Sequence, residues 1–227
     1  MRLVPSLACA AVAAAGVTGA AATHAGSLRD PRLLPVHGAL LRGDVDGDGK
    51  VDQAAVHCRP GTLANLVVST SRSVLVRRIS SSGCGVGARV IVLAKIDRTP
   101  GTEVVVFESA GSVAFADIYT FRHGALVPMT IDGSSDGSFT YYGSATHDAG
   151  ADCVRAASGD VIFSTWALTP TTVNGVVTRK YMRVTGWHLG TVKTTRFFPT
   201  DDHRRYGGFG RPQPFPSCAV SRGPDRY

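Results

Sequence analysis

The chain predicts an all-β, antiparallel fold of about three propeller-like or incomplete-propeller units, stabilised by disulfides. Three observations predict it. No segment beyond residue 25 sustains apolar residues at i, i+3, i+4 and i+7, the mark of a helix with one buried face. Many short runs are instead rich in β-branched residues and bounded by Gly, Pro, Asn, Asp and Ser, as strands and their turns are. Finally, an acidic turn, an apolar strand and a hairpin recur at intervals of 51–53 residues, from Asp44 to Asp97 to Asp148. A period of that length with about four strands per unit is the pattern of propeller blades.

Residues 1–25 stand apart from this pattern. Met1-Arg2 is basic, Leu3 to Ala22 is almost wholly small and apolar, and AATHAG places Thr23 and Ala25 at the spacing signal peptidase prefers. The segment reads as a cleaved secretory signal, cut after Ala25 or after Ala22. The expected location is therefore extracellular or envelope-associated. Cys9 has Ser6, not Leu, three residues before it, which argues against lipid attachment. No later apolar run approaches the roughly 18 residues a membrane span needs.

Residues 26–198 read as the repeat domain. VDQAAVHC, LANLVVSTS and SVLVRRIS are short strands of the first unit. ARVIVLAKI and TEVVVFES are near-continuous apolar runs, as strands buried on both faces are. AFADIYTFRHG alternates, and DVIFSTWAL, VVTRKYMRV and GTVKTTRFF follow. RHGAL and TGWHL are expected to be corresponding hairpin turns. Residues 199–227, rich in Pro and Gly, are expected to lie irregularly over the domain, tied by Cys218.

Without the signal, four cysteines remain: Cys58, Cys84, Cys153 and Cys218. An even count in an exported chain implies disulfides. Of the three possible pairings, Cys58–Cys84 with Cys153–Cys218 closes each loop within one half. The absence of any CxxC spacing argues against zinc. The net charge of +7 comes from scattered basic residues. No basic patch interleaves with aromatics in a known module, so no specific nucleic-acid partner is expected.

The densest chemistry is GDVDGDGKVD, Gly43 to Asp52. Asp44, Asp46 and Asp48 alternate, and Lys50 and Asp52 continue the same spacing. Oxygen donors at alternating positions of a tight loop suit calcium, a hard cation taking six to eight oxygens. Gly47 and Gly49 permit the left-handed backbone such a loop needs. Position twelve is Ala55 in an apolar strand, not the Glu of an EF-hand. A nine-residue acidic loop running straight into a strand resembles the calcium loop of FG-GAP/VCBS-type repeats, over roughly Gly38 to Val56. The resemblance implies that Asp44, Asp46, Asp48 and Asp52 bind Ca2+ through side chains and Lys50 through its carbonyl, its ammonium pointing outward. Asp97 to Phe107 looks like a degenerate copy that retains Asp97, Gly101 and Glu103. Asp97 and Glu103 are spaced like positions one and seven, and read as a capped turn.

No catalytic residue is nominated. GSSDG formally matches G-x-S-x-G at Ser135, with Asp202 and His203 downstream, but a strand follows it instead of the helix an elbow needs. Glu108 with Asp117 is a weak candidate pair. Phe139, Tyr141 and Tyr142 are a possible stacking surface, with core packing as the alternative. The function expected is an exported calcium-binding module acting on an extracellular protein or envelope polymer. The alternatives are an exported hydrolase of polysaccharide or cell-wall material, and a purely structural accessory domain.

Overall fold

The computed structural model describes residues 36–58, 63–79, 88–110, 113–132, 134, 138–142, 149–156, 161–169, 175–198 and 217–222. The expected signal segment 1–25 lies outside them. Among the described residues there is no helix, and none is therefore long and apolar enough to cross a membrane. The described residues form fifteen strands, β1 to β15, in three sheets.

The first sheet is a meander of β1 (Val36–Gly43), β2 (Asp52–His57), β3 (Asn65–Ser69) and β4 (Val74–Arg78), paired in that order. The second is built on β5 (Arg89–Ala94), β6 (Glu103–Ala110) and β7 (Val113–Arg122). Both β8 (Ala125–Pro128) and β10 (Phe139–Tyr142) pair with β7, at its two ends. The third is a meander of β11 (Ala149–Arg155), β12 (Val161–Thr169), β13 (Val176–Thr185) and β14 (His188–Phe197). The two-residue β9 (Thr130–Ile131) adds to β14 in parallel; the other pairings are antiparallel.

The second sheet is buried on both faces, which explains its unbroken apolar runs. On β6, Val104 and Val106 join the core shared with the first sheet, while Val105 and Phe107 join the core shared with the third. Period-2 geometry turns successive side chains to opposite faces, so both sets must be apolar. Edge strand β4 shows the contrary pattern: it is mostly exposed and ends in Arg77-Arg78, charges that discourage pairing with another chain.

Both expected hairpin turns are present. Arg122 pairs with Ala125 around His123 (φ 48°) and Gly124 (φ 79°), the double positive φ of a type I′ turn. Thr185 pairs with His188 around Gly186 (φ 63°) and Trp187. Only the first central residue of this second turn has positive φ, as type II′ requires.

The Cys153–Cys218 disulfide is formed. Cys58 is also disulfide-bonded, but its expected partner Cys84 lies outside the described residues. Within the C-terminal segment expected to be irregular, Ala219–Arg222 is a strand, β15, paired antiparallel with β5. Strand β1 was also not expected. It carries Gly38 at φ 86° and a register shift between His37 and Leu41, so its local pattern is not strand-like.

Candidate metal centre

The connection from β1 to β2 winds through Gly47 (φ 78°) and Gly49 (φ 82°). Its carboxylates are oriented by the loop's own amides. Asp44 accepts from the Gly47 amide at Oδ1 (2.7 Å) and from the Gly49 amide at Oδ2 (3.0 Å). Asp46 Oδ1 accepts from the Asp48 amide at 3.1 Å, and Asp48 Oδ1 from the Lys50 amide at 2.9 Å. One carboxylate oxygen each from Asp44, Asp46 and Asp48 lies within 4.8 Å of the others. This cluster could hold a metal ion.

Local cations offset part of the repulsion. Asp48 Oδ2 accepts from Ser71 Oγ at 2.7 Å, in the β3–β4 hairpin, and lies 3.7 Å from Arg72 Nε and 4.0 Å from Lys50 Nζ. The Ser71 and Lys50 hydrogen bonds, then the two positive charges, hold the Asp48 carboxyl below its usual pKa. Lys50 thus turns its ammonium back towards Asp48 and Ser71, where an outward direction was expected.

Asp52, the first residue of β2, is wholly buried. Its Oδ2 accepts from the amides of Val45 (2.8 Å) and Asp46 (3.2 Å), and its Oδ1 is buried with no hydrogen-bond partner. It is not in the group of three whose oxygens meet. Burial, then the charges of Asp46 and Asp44, push its pKa up. An unpartnered carboxylate oxygen in an acidic loop is costly, on the order of 1–3 kcal/mol, unless positive charge arrives. Hard oxygen donors with an orphaned buried carboxylate beside them fit a hard cation.

The β5–β6 connection repeats the lock with different chemistry. Glu103, the first residue of β6, accepts at Oε2 from the amide of Ile96, seven residues back (2.8 Å), as Asp52 does from Val45. This places Asp97 opposite Asp46 and Glu103 opposite Asp52, so they stand at positions three and nine, not one and seven. Position one is then Lys95. Its ammonium donates to the carbonyls of Thr99 and Gly101, and Gly101 stands where Lys50 stands in the first loop. An ammonium is thus built into the second loop at carbonyls that a metal would otherwise recruit. Asp97 accepts from the Thr99 amide (2.8 Å) and from Arg122 Nη2 (2.6 Å). Sequence inspection missed Lys95 because it sought carboxylates; aligning the apolar pair Val45 and Ile96 would have exposed it.

The two loops are docked. Thr102 Oγ1 donates to the Asp44 carbonyl at 2.9 Å. A Cβ on Gly101 would stand 2.4 Å from the Val45 carbonyl oxygen, and one on Gly47 would stand 2.6 Å from the Pro100 Cβ. The first loop therefore lies at the junction of the first and second sheets.

Other expected features scatter. Ser135, Asp202 and His203 lie outside the described residues. Glu108 and Asp117 lie near Tyr119, whose phenol pKa is pushed up by burial and then by their charges. Phe139 is in the core, edge-on to Phe163 at 5.4 Å between ring centres. A chain not anticipated joins Thr130 Oγ1 to His188 Nδ1 (2.8 Å) and His188 Nε2 to Asp132 Oδ1 (3.0 Å), while Asp132 Oδ2 accepts from the Thr191 amide (2.6 Å). It ties β9 to β14. Comparison with known proteins found no matching family model, curated protein or solved structure.

Proposed function

We propose that the protein is an exported β-repeat protein of FG-GAP/VCBS type, in which one calcium ion at Asp44, Asp46 and Asp48 stiffens a binding module outside the cell. The observation that carries the metal reading is the meeting of three carboxylates beside the buried, unpartnered Oδ1 of Asp52. The oxygen-only donor set favours calcium over softer metals. Lys50 is proposed to add its carbonyl and Asp52 to close the shell. The repeat reading is supported by the shared seven-residue lock of the first two loops and by the successive antiparallel sheets. The location rests on residues 1–25 and the disulfides. Its partner is proposed to be an extracellular protein or envelope polymer.

The role of calcium on this reading is structural. Loop one touches the β3–β4 hairpin through Ser71 and the second loop through Thr102. A cation there would hold three segments together, with no part in bond-breaking chemistry. The test is calorimetric titration of metal-stripped protein with calcium, alongside Asp46→Asn. That variant removes a charge but keeps an oxygen for the Asp48 amide. One saturable site with a raised Tm, both lost in Asp46→Asn, is the expected result. No heat and no change in Tm in the unmutated protein would overturn it.

A further inference from the structure

The outer face of the third sheet carries a charge cluster that the calcium loop does not use. Period-2 geometry turns Phe163 and Met182, paired across β12 and β13, into the core. Their neighbours Ser164 and Tyr181, also paired, face away from it, with Lys193 beside Tyr181 on β14 and Arg179 two residues along β13. Two cations converge on one phenol. The Arg179 guanidinium carbon stands 5.2 Å, and Lys193 Nζ 6.0 Å, from the centre of the Tyr181 ring, both within reach of cation–π attraction.

The cluster is held in place, and its charge is not neutralised. Ser164 is wholly buried. Its Oγ donates to the Asp152 carbonyl at 3.2 Å and accepts from Arg179 Nε (3.3 Å) and Nη2 (2.9 Å). One edge of the guanidinium is thereby fixed, while Nη1, the Tyr181 hydroxyl and Lys193 Nζ make no hydrogen bond among the described residues. Neither Arg179 nor Lys193 forms an ion pair there. Asp152, in the same row of the sheet, is held by the amides of Cys153 and Ser217 and by the Ser217 hydroxyl. Lys193 is exposed, and Arg179 and Tyr181 are half-buried. Two partly desolvated like charges on one ring repel, and an anion between them would remove that cost.

We propose that this face binds an acidic polysaccharide, one sugar carboxylate lying between Arg179 and Lys193 and neighbouring hydroxyls meeting Tyr181 and Thr195, which pairs with Arg179 across the strands. The free guanidinium edge is a forked donor that matches the paired oxygens of a carboxylate. A nucleic-acid strand would want a bare ring for base stacking, and the Tyr181 ring already carries two cations. An acidic sugar chain brings carboxylates and hydroxyls together and needs no such ring. The inference rests on the binding role proposed above and narrows its partner to one chemistry.

The test is titration of the disulfide-intact protein with oligogalacturonate, a plain carboxylate-bearing sugar chain, followed by amide chemical shifts at about 0.15 M salt, with dextran as the neutral probe. Oligogalacturonate is expected to saturate and to shift β13 and β14 amides, and dextran to do neither. Lys193→Ala, at an exposed position, should weaken binding about tenfold, the loss expected for one charged hydrogen-bond partner. Tyr181→Phe keeps the ring and should cost about threefold. Arg179→Lys keeps the charge but loses the fork and should also weaken binding. Arg77→Ala with Arg78→Ala removes two charges from β4 and should leave binding unchanged. So should Asp46→Asn, which separates failure here from failure of the calcium reading. Absence of saturable binding would overturn the proposal, as would an equal loss in the Arg77/Arg78 variant, which would mean general attraction to a basic protein. Tighter binding of poly-glutamate would overturn it in favour of an acidic protein partner. Binding unchanged in both Lys193→Ala and Arg179→Lys would overturn this site and leave the envelope-binding role standing.

Discussion

Glu103 is 1% exposed, and its carboxyl is pushed up to about 7, first by burial and then by the Asp97 charge. An acid whose folded pKa lies above its unfolded value binds more protons when folded. Its stabilising contribution is therefore full below about pH 4.5 and lost as pH rises through about 7. Glu103→Gln mimics the protonated acid: its amide oxygen can accept from Ile96 and its NH2 can donate to Thr120 Oγ1. The variant should gain about 2–3 kcal/mol over the unmutated protein at pH 8 and little at pH 4.5, measured by urea unfolding at both pH values. An equal difference at the two values would refute the assignment. Gly101 is the second decisive residue. At φ 95°, with the Val45 carbonyl where its Cβ would stand, Gly101→Ala should cost about 2–4 kcal/mol. Gly49 has similar φ and open space around it, so Gly49→Ala should cost about 1–2 kcal/mol. The comparison isolates loop docking from backbone strain.

At the scale of the element, the two acidic connections are alike in backbone lock and opposite in charge. Lys95→Ala would strand the carbonyls of Thr99 and Gly101 and should destabilise by about 1–3 kcal/mol. Calcium should not restore that loss, because loop two lacks a carboxylate at the place of Asp48, where Thr99 stands. Thermal melts of the variant with and without calcium check this, and recovery on adding calcium would show a second site. The first loop was legible in the sequence because its donors lie within nine consecutive residues. The second was misaligned because carboxylates were counted from Asp97, while its register is set by buried Ile96 and Glu103. The β7–β8 hairpin was also legible from RHGAL. His123 occupies a left-handed position that Asn adopts more readily, so His123→Asn should stabilise by a few tenths of a kcal/mol, seen as a small rise in Tm.

At the scale of the molecule, the third sheet is tied to the second by the chain's end. Cys218 precedes β15, which lies on β5, and bonds to Cys153 in β11, 65 residues earlier. Asp152 adds hydrogen bonds from the Ser217 amide (3.0 Å) and hydroxyl (2.9 Å). In the chain-entropy model a loop of that length stabilises by about 4 kcal/mol. Replacing both cysteines by serine should lower stability by about 2–5 kcal/mol. Hydrogen exchange should rise first in β15 and β11, the two strands that the disulfide joins. Uniform acceleration across all three sheets would instead mean that they unfold as one unit.

The amino-acid sequence by itself determined the all-β class, most strand positions, two hairpin turns and the Asp44–Asp46–Asp48 cluster. Those features follow from alternation, turn chemistry and contiguous donors, all readable over short stretches, whereas the choice of Cys153–Cys218 among three possible pairings was decided by the fold. Only the tertiary structure decided that β15 returns to β5, that loop two docks on loop one with Lys95 as its cation, and that Arg98, Arg122 and Arg183 line one cleft with Val161 and Val184. These depend on which sheet edges and loops become neighbours, and the residues involved carry no local pattern that distinguishes them from ordinary surface charge.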